Sequence, residues 1–159
     1  MYSIDNKDKV VPLNSIPQSS IGSPNPIVLS DEITTVVAFN LEKNEFNIAK
    51  KAIAIITFKE CYSTMFGPPG DETFEAHPLS SHGLERYSSF IIKDSSWLRI
   101  LIKMNSVHPR HNESHFENLK HFILSFHDST FECIAEDFEV ETVNGNLNDL
   151  ISLMRMKLQ

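Results

Sequence analysis

His121-Phe122-Ile123-Leu124-Ser125-Phe126, then His127-Asp128-Ser129, then Thr130-Phe131-Glu132-Cys133-Ile134-Ala135: on this stretch the reading of the fold turns. Both outer runs repeat with period two, the spacing at which successive strand side chains face opposite sides of a sheet. The three residues between them are turn formers, whose short polar side chains hydrogen-bond local backbone. The pattern predicts a β-hairpin and therefore antiparallel pairing. Phe138, Val140 and Thr142 carry the alternation on, either within the second arm or as another strand past a bulge at Glu136-Asp137.

Upstream of the hairpin, Ser114-His115-Phe116-Glu117 has the capping-box pattern of a short helical turn. Asp94-Ser95-Ser96 offers N-cap oxygens to a helix that carries Trp97, Leu98, Leu101, Ile102 and Met104 and ends before Pro109. Phe90-Ile91-Ile92 reads as a strand ahead of it. Further upstream, β-branched residues 34–39 and the apolar run 48–58 flank a polar connection and suggest a second hairpin. Apolar residues on both faces of the second run imply a covered strand, although Ala49-Lys50-Lys51-Ala52 favours helix locally. Lys50 and Lys51 read as solvent-facing residues or guards against edge pairing. Downstream, Asn146 is placed to cap a helix whose Leu147, Leu150, Ile151, Met154 and Leu158 form one apolar stripe.

These elements give an α+β domain over residues 32–159, a mostly antiparallel sheet of four to six strands packed against two helices on one side. Residues 1–31 contain Pro12, Pro17, Pro24 and Pro26 without a sustained period, and are expected to form an extended or partly disordered arm. Short apolar pieces such as Val10-Val11 and Ile27-Val28-Leu29 are where such an arm can dock onto the domain. A chain of 159 residues suits one domain and one core.

Charge and cysteine usage narrow the setting. Against 14 Lys and Arg stand 21 Asp and Glu, a formal charge of -7 that repels phosphate backbones and anionic lipid, so neither nucleic acid nor membrane is expected as a partner. No run approaches the roughly 18 to 20 apolar residues that cross a bilayer. Cys61 and Cys133 lack metal-type or redox-type spacing and read as buried thiols. With no apolar segment after the polar start, a cytoplasmic location is expected.

Two groupings bear on chemistry. His108, His111 and His115 lie close in sequence, but neither cysteine is near and Pro109 interrupts any helix that would align them, so no metal site or cofactor is expected. The long irregular stretch after Phe66 is the better candidate. It holds Asp71, Glu72, Glu75, His77, His82 and Glu85, carboxylates beside imidazoles that suit hydrogen bonding to a polar ligand or base chemistry. Gly67-Pro68-Pro69-Gly70 does not cradle phosphate, because proline lacks the amide such loops use. Asp71, Glu72, His77, His82 and Glu85 are the expected ligand-binding residues. His127-Asp128-Ser129 has the residue types of a hydrolytic triad, yet such geometry is spatial, and three chain neighbours read as a turn.

Phe66-Gly67-Pro68-Pro69-Gly70-Asp71-Glu72, His77-Pro78-Leu79, Ser95-Ser96-Trp97 and Phe126-His127-Asp128-Ser129-Thr130-Phe131-Glu132-Cys133, with Gly83-Leu84 and Asn105-Ser106-Val107-His108, resemble a family of uncharacterised bacterial proteins over about residues 66–140. The resemblance implies no activity, cofactor or catalytic residue. The expected function is a non-catalytic binding or regulatory module for a protein or small polar ligand. The alternative is a hydrolase-like or metal-assisted enzyme using Asp71, His77, His82 or Glu85. A homodimer formed through an edge of the 122–134 hairpin is a third.

Overall fold

The computed structural model describes residues 2–42 and 52–158. The fold is α+β, with its strands divided between two antiparallel sheets. The first contains β1 (Lys9–Pro12), β5 (Ser63–Gly67), β6 (Ser89–Lys93), β7 (Lys120–Ser125) and β8 (Thr130–Ala135) in the order β1-β6-β7-β8-β5. The second contains β2 (Ile27–Ser30), β3 (Thr35–Asn40), β4 (Ala52–Lys59) and β9 (Asp137–Asn144) in the order β2-β3-β4-β9. The hairpin read from the sequence is β7 and β8, with Phe122 opposite Cys133 and Leu124 opposite Phe131. The 52–58 part of the second apolar run is strand, not helix, and β4 lies between β3 and β9 with both faces buried. Lys50 and Lys51 lie outside the described residues.

Alternation decides which residues meet across the sandwich. Phe122, Leu124, Phe131, Cys133 and Ala135 of the first sheet face Val37, Phe39, Ala54, Ile56 and Phe58 of the second and form one core cluster with them. Phe58 lies at its centre, its ring 5.4 Å from both Phe122 and Phe131 and 5.9 Å from Phe138. Phe138 belongs to β9, so the alternation past Glu136-Asp137 crosses to the other sheet instead of lengthening β8. The two cysteines join this core as free, buried thiols.

Each outer face has its own cover. On the first sheet, Ile123 and Ile134 pack with Phe90, Ile92 and Trp97, the last from α1 (Ser96–Asn105). On the second sheet, Val36, Ala38, Ile53 and Ile55 pack with Leu150 and Met154, Met154 lying on α2 (Ile151–Arg155). The two helices thus cover opposite faces of the sandwich, because both sheets have an apolar outer side. Ser95 caps α1 by accepting from the Leu98 amide, as the sequence pattern predicts. At the predicted capping box the cap is Asn112, whose side chain accepts from the Ser114 amide, and the turn is a 3₁₀ segment at Glu113–Phe116.

The expected N-terminal arm is extended but belongs to the same packed unit. β1 pairs along β6 and β2 along β3, and both lie at sheet edges, where proline is tolerated because it has no ladder amide to lose. Between them the chain crosses from the first sheet to the second, held by the Leu13 amide to the Ser89 carbonyl at 2.8 Å and the Ser20 amide to the Asn40 carbonyl at 2.8 Å. The hairpin edge considered for dimerisation is also occupied, since β6 lies beside β7 and β5 beside β8.

Removing the Phe58 ring takes away its contacts with three other rings at once. Phe58→Ala is expected to cost about 3–5 kcal/mol, read as a lower urea midpoint with an unchanged slope.

Candidate functional site

Three polar groupings are built into this frame. The first centres on Glu132. It sits on the outer face of β8, where the register places Ile134 opposite His121 and makes Glu132 the diagonal neighbour of that histidine. Its carboxylate is buried and takes three donors: the Tyr2 hydroxyl at 2.7 Å, His121 Nε2 at 2.9 Å and His77 Nε2 at 3.1 Å. Hydrogen-bond complementarity assigns the tautomers. His77 Nδ1 accepts from the Leu79 amide, and Nε2 therefore carries the proton. His121 Nδ1 accepts from the Ser95 hydroxyl, which itself accepts from Leu98 at the start of α1. Trp97 stacks on Tyr2 at 5.6 Å and meets the His121 ring edge-on at 5.1 Å, closing the group from water.

Burial alone would raise the Glu132 pKa, but the hydrogen bonds and proximity of His121 and His77 outweigh it and hold the carboxyl at about 2. Burial lowers the His121 pKa against the opposing pull of Glu132, so this imidazole stays neutral. The arrangement is a satisfied internal network: one negative charge, three donors, and no acceptor left facing solvent. It is also where His77 is placed, fully enclosed and away from the other expected ligand residues.

The second grouping joins the loop to the hairpin turn. Asp71 Oδ2 accepts from His127 Nδ1 at 2.9 Å and from the Tyr87 hydroxyl, and the Tyr87 and His127 rings lie stacked. The Asp71 amide donates to the His127 carbonyl at 2.7 Å, and the Thr130 hydroxyl to the Pro69 carbonyl at 2.8 Å. Gly70 permits this approach, since a Cβ there would lie 2.7 Å from the His127 carbonyl oxygen. The Tyr87 hydrogen bond, followed by His127, lowers the Asp71 pKa, and the same bond to Asp71 raises that of Tyr87. Tyr87 has a φ of 56°, a left-handed conformation that a bulky side chain adopts only under constraint from its surroundings.

Tyr87 also borders the third feature, a cleft of about 400 Å³ at one end of the sandwich. The crossing segment after β1 forms one wall with Leu13, Ile16 and Ser19; the ends of β3 and β7 contribute Phe39, Leu124 and Ser125. Ser125 is fixed as a bracket, its hydroxyl accepting from the Ser88 amide at 2.9 Å and reaching the Glu85 carbonyl at 3.0 Å. The Ser19 hydroxyl is buried in the wall without a hydrogen-bond partner among the described residues.

Of the expected ligand residues, Asp71 holds Tyr87 at the cleft and Glu85 lines it. His82 instead bonds through Nδ1 to the Asp8 carbonyl at 2.9 Å, and Glu72 is solvent-exposed. The five are not brought together. Among the described residues, no group of three or more His, Cys, Asp or Glu side chains is placed to hold a metal ion, and no helix is long and apolar enough to cross a membrane. His111 Nδ1 pairs with the Asn105 side chain and His108 Nδ1 accepts from the Arg110 amide. Tyr87, Ser19 and the crossing segment carry no motif, and only the fold assembles them. No family model, curated protein or solved structure matches the chain.

The network around Glu132 sets an acid limit. Its folded pKa lies below the ordinary 4.5, so its stabilisation is complete above that value and lost as pH falls towards about 2. His121, held neutral below its ordinary 6.5, adds a loss that begins as pH drops through that value. Stability measured by urea unfolding should therefore fall from pH 6.5 downwards, most steeply below 4.5. Tyr2→Phe should cost about 1.5–3 kcal/mol at pH 7, because a donor to a buried charge is removed, and Glu132→Gln should flatten the profile below pH 4.5.

Proposed function

We propose that this protein is a non-catalytic binding module for a small polar ligand, taken up in the cleft between the crossing segment and the ends of β3 and β7. One observation carries the reading: a cleft of ligand size is bordered by Tyr87, a residue in a constrained backbone conformation whose ring is held by Asp71 and His127. Constraint of this kind persists where surrounding contacts impose it, and here it falls on a residue that lines the opening. A cytoplasmic, reducing setting belongs to the same reading, supported by two buried and unpaired thiols.

A catalytic reading has its own observation. His127 is tied through Nδ1 to Asp71 and partly exposed, which leaves Nε2 as a potential proton acceptor, with the Asp128 carboxylate 3.9 Å away. Among the described residues, however, no serine, threonine or cysteine is hydrogen-bonded to that nitrogen, so a nucleophile would have to be water.

Native mass spectrometry of the full chain, paired with a thermal-shift screen of small polar molecules, tests the binding reading. The expected result is a ligand that co-purifies or raises Tm, by an amount equivalent to about 2.7 kcal/mol at a hundredfold excess over Kd, and that Tyr87→Ala loses. Absence of any ligand whose effect depends on Tyr87 would overturn it. Ester hydrolysis abolished by His127→Gln would favour catalysis instead.

A further inference from the structure

Resting on the binding reading above, we infer that the cleft takes an uncharged, polyhydroxylated molecule of about monosaccharide size. Charge is the first argument. Among the described residues, no lysine, arginine or histidine lines the cleft, and its one carboxylate is that of Glu85. A phosphate or carboxylate would lose water there without a counter-charge, beside a like charge and within a chain of formal charge -7. An ammonium ion would find Glu85 as its single counter-charge among the described lining residues.

Hydrogen-bond chemistry gives the second argument. Asn14, Gln18 and Ser89 all line the cleft, and the side chain of each carries groups that both donate and accept. Alcohol hydroxyls share that dual character, whereas carboxylates only accept and ammonium ions only donate. Glu85 adds an acceptor for a vicinal pair of hydroxyls. Ser19, in the wall, keeps a hydroxyl that no group among the described residues engages, and a rotation about its Cα–Cβ bond is the least motion that would offer it to a ligand.

The apolar lining is the third. Leu13, Ile16, Phe39 and Phe126 supply hydrocarbon surface beside these polar groups. A sugar or cyclitol ring presents both characters at once, C–H faces and hydroxyl edges. The volume of about 400 Å³ suits a molecule of that size with some of its water retained.

The test is titration of the ¹⁵N-labelled full chain, followed by amide shifts of Leu13, Tyr87 and Ser125. The probes are D-glucose, D-galactose, D-ribose and myo-inositol, against inorganic phosphate, acetate and putrescine. Saturable shifts at those amides with at least one polyol, weakened about tenfold by Gln18→Ala or Glu85→Gln, are expected. Both substituted side chains are exposed, so the variants should fold, and an unchanged spectrum away from the cleft will show it. Saturable shifts with phosphate, acetate or putrescine and none with a polyol would overturn the ligand class while leaving the binding reading in place. Polyol shifts insensitive to both variants, or no cleft shift with any probe, would also overturn the class. The binding reading itself falls only if the broader thermal-shift screen finds no Tyr87-dependent ligand.

Discussion

A carboxylate removed from water must be surrounded by donors, and Glu132 draws its three from three separate segments of the chain. Tyr2 comes from the N-terminal segment, His77 from the turn after the 3₁₀ segment at Asp71–Ala76, and His121 from the adjacent strand. Satisfying one charge therefore fixes the positions of three elements over the outer face of the first sheet. The same constraint reaches α1, because His121 passes its second nitrogen to Ser95, the residue that caps that helix. Asp8 adds a parallel tie: buried, it accepts from the Ser96 amide and hydroxyl, and these bonds outweigh the upward push of burial and lower its pKa.

With that face closed, the cleft lies instead at the end of the sandwich. The segment after β1 has to change sheets, and in doing so spans the ends of β3 and β7 without filling the space beneath it. The cleft is thus a by-product of topology: a chain that contributes one edge strand to each sheet leaves a gap where it crosses. The loop from Pro69 to Tyr87 is anchored to the hairpin turn by Asp71 and Thr130, which sets Tyr87 at the border of that gap.

The elements are legible in the sequence where local pattern and burial agree. Period two marks β7 and β8, the serine cap marks α1, and Leu150 and Met154 of the C-terminal stripe are buried against the second sheet. Allocation of strands to sheets is not legible, since β9 alternates as β8 does and only the pairing with β4 assigns it. The arm reads as peripheral because prolines and short apolar pieces resemble a linker, yet each piece is long enough for an edge strand. Of the expected site, Glu85 lines the cleft and Asp71 is tied to it only through Tyr87, whereas His77 is drawn into the interior by an acid 55 residues away that the hairpin pattern treats as one more alternating position. The clue lies in Ile123 and Ile134, apolar residues on the same face as Glu132, which mark that face as covered.

The bond between Tyr2 and Glu132 joins residues 130 apart, and β1 finds β6 only across some eighty residues. Long-range pairing of this kind is a kinetic property as well as a structural one, because such contacts repay the entropy of loop closure only after the loop is complete. On a ribosome adding roughly 5–20 residues per second, the N-terminal strand spends on the order of ten seconds exposed before its last partner is made. An unpaired edge segment is a template for pairing with the wrong neighbour, and Pro12 lacks the amide that such pairing would use.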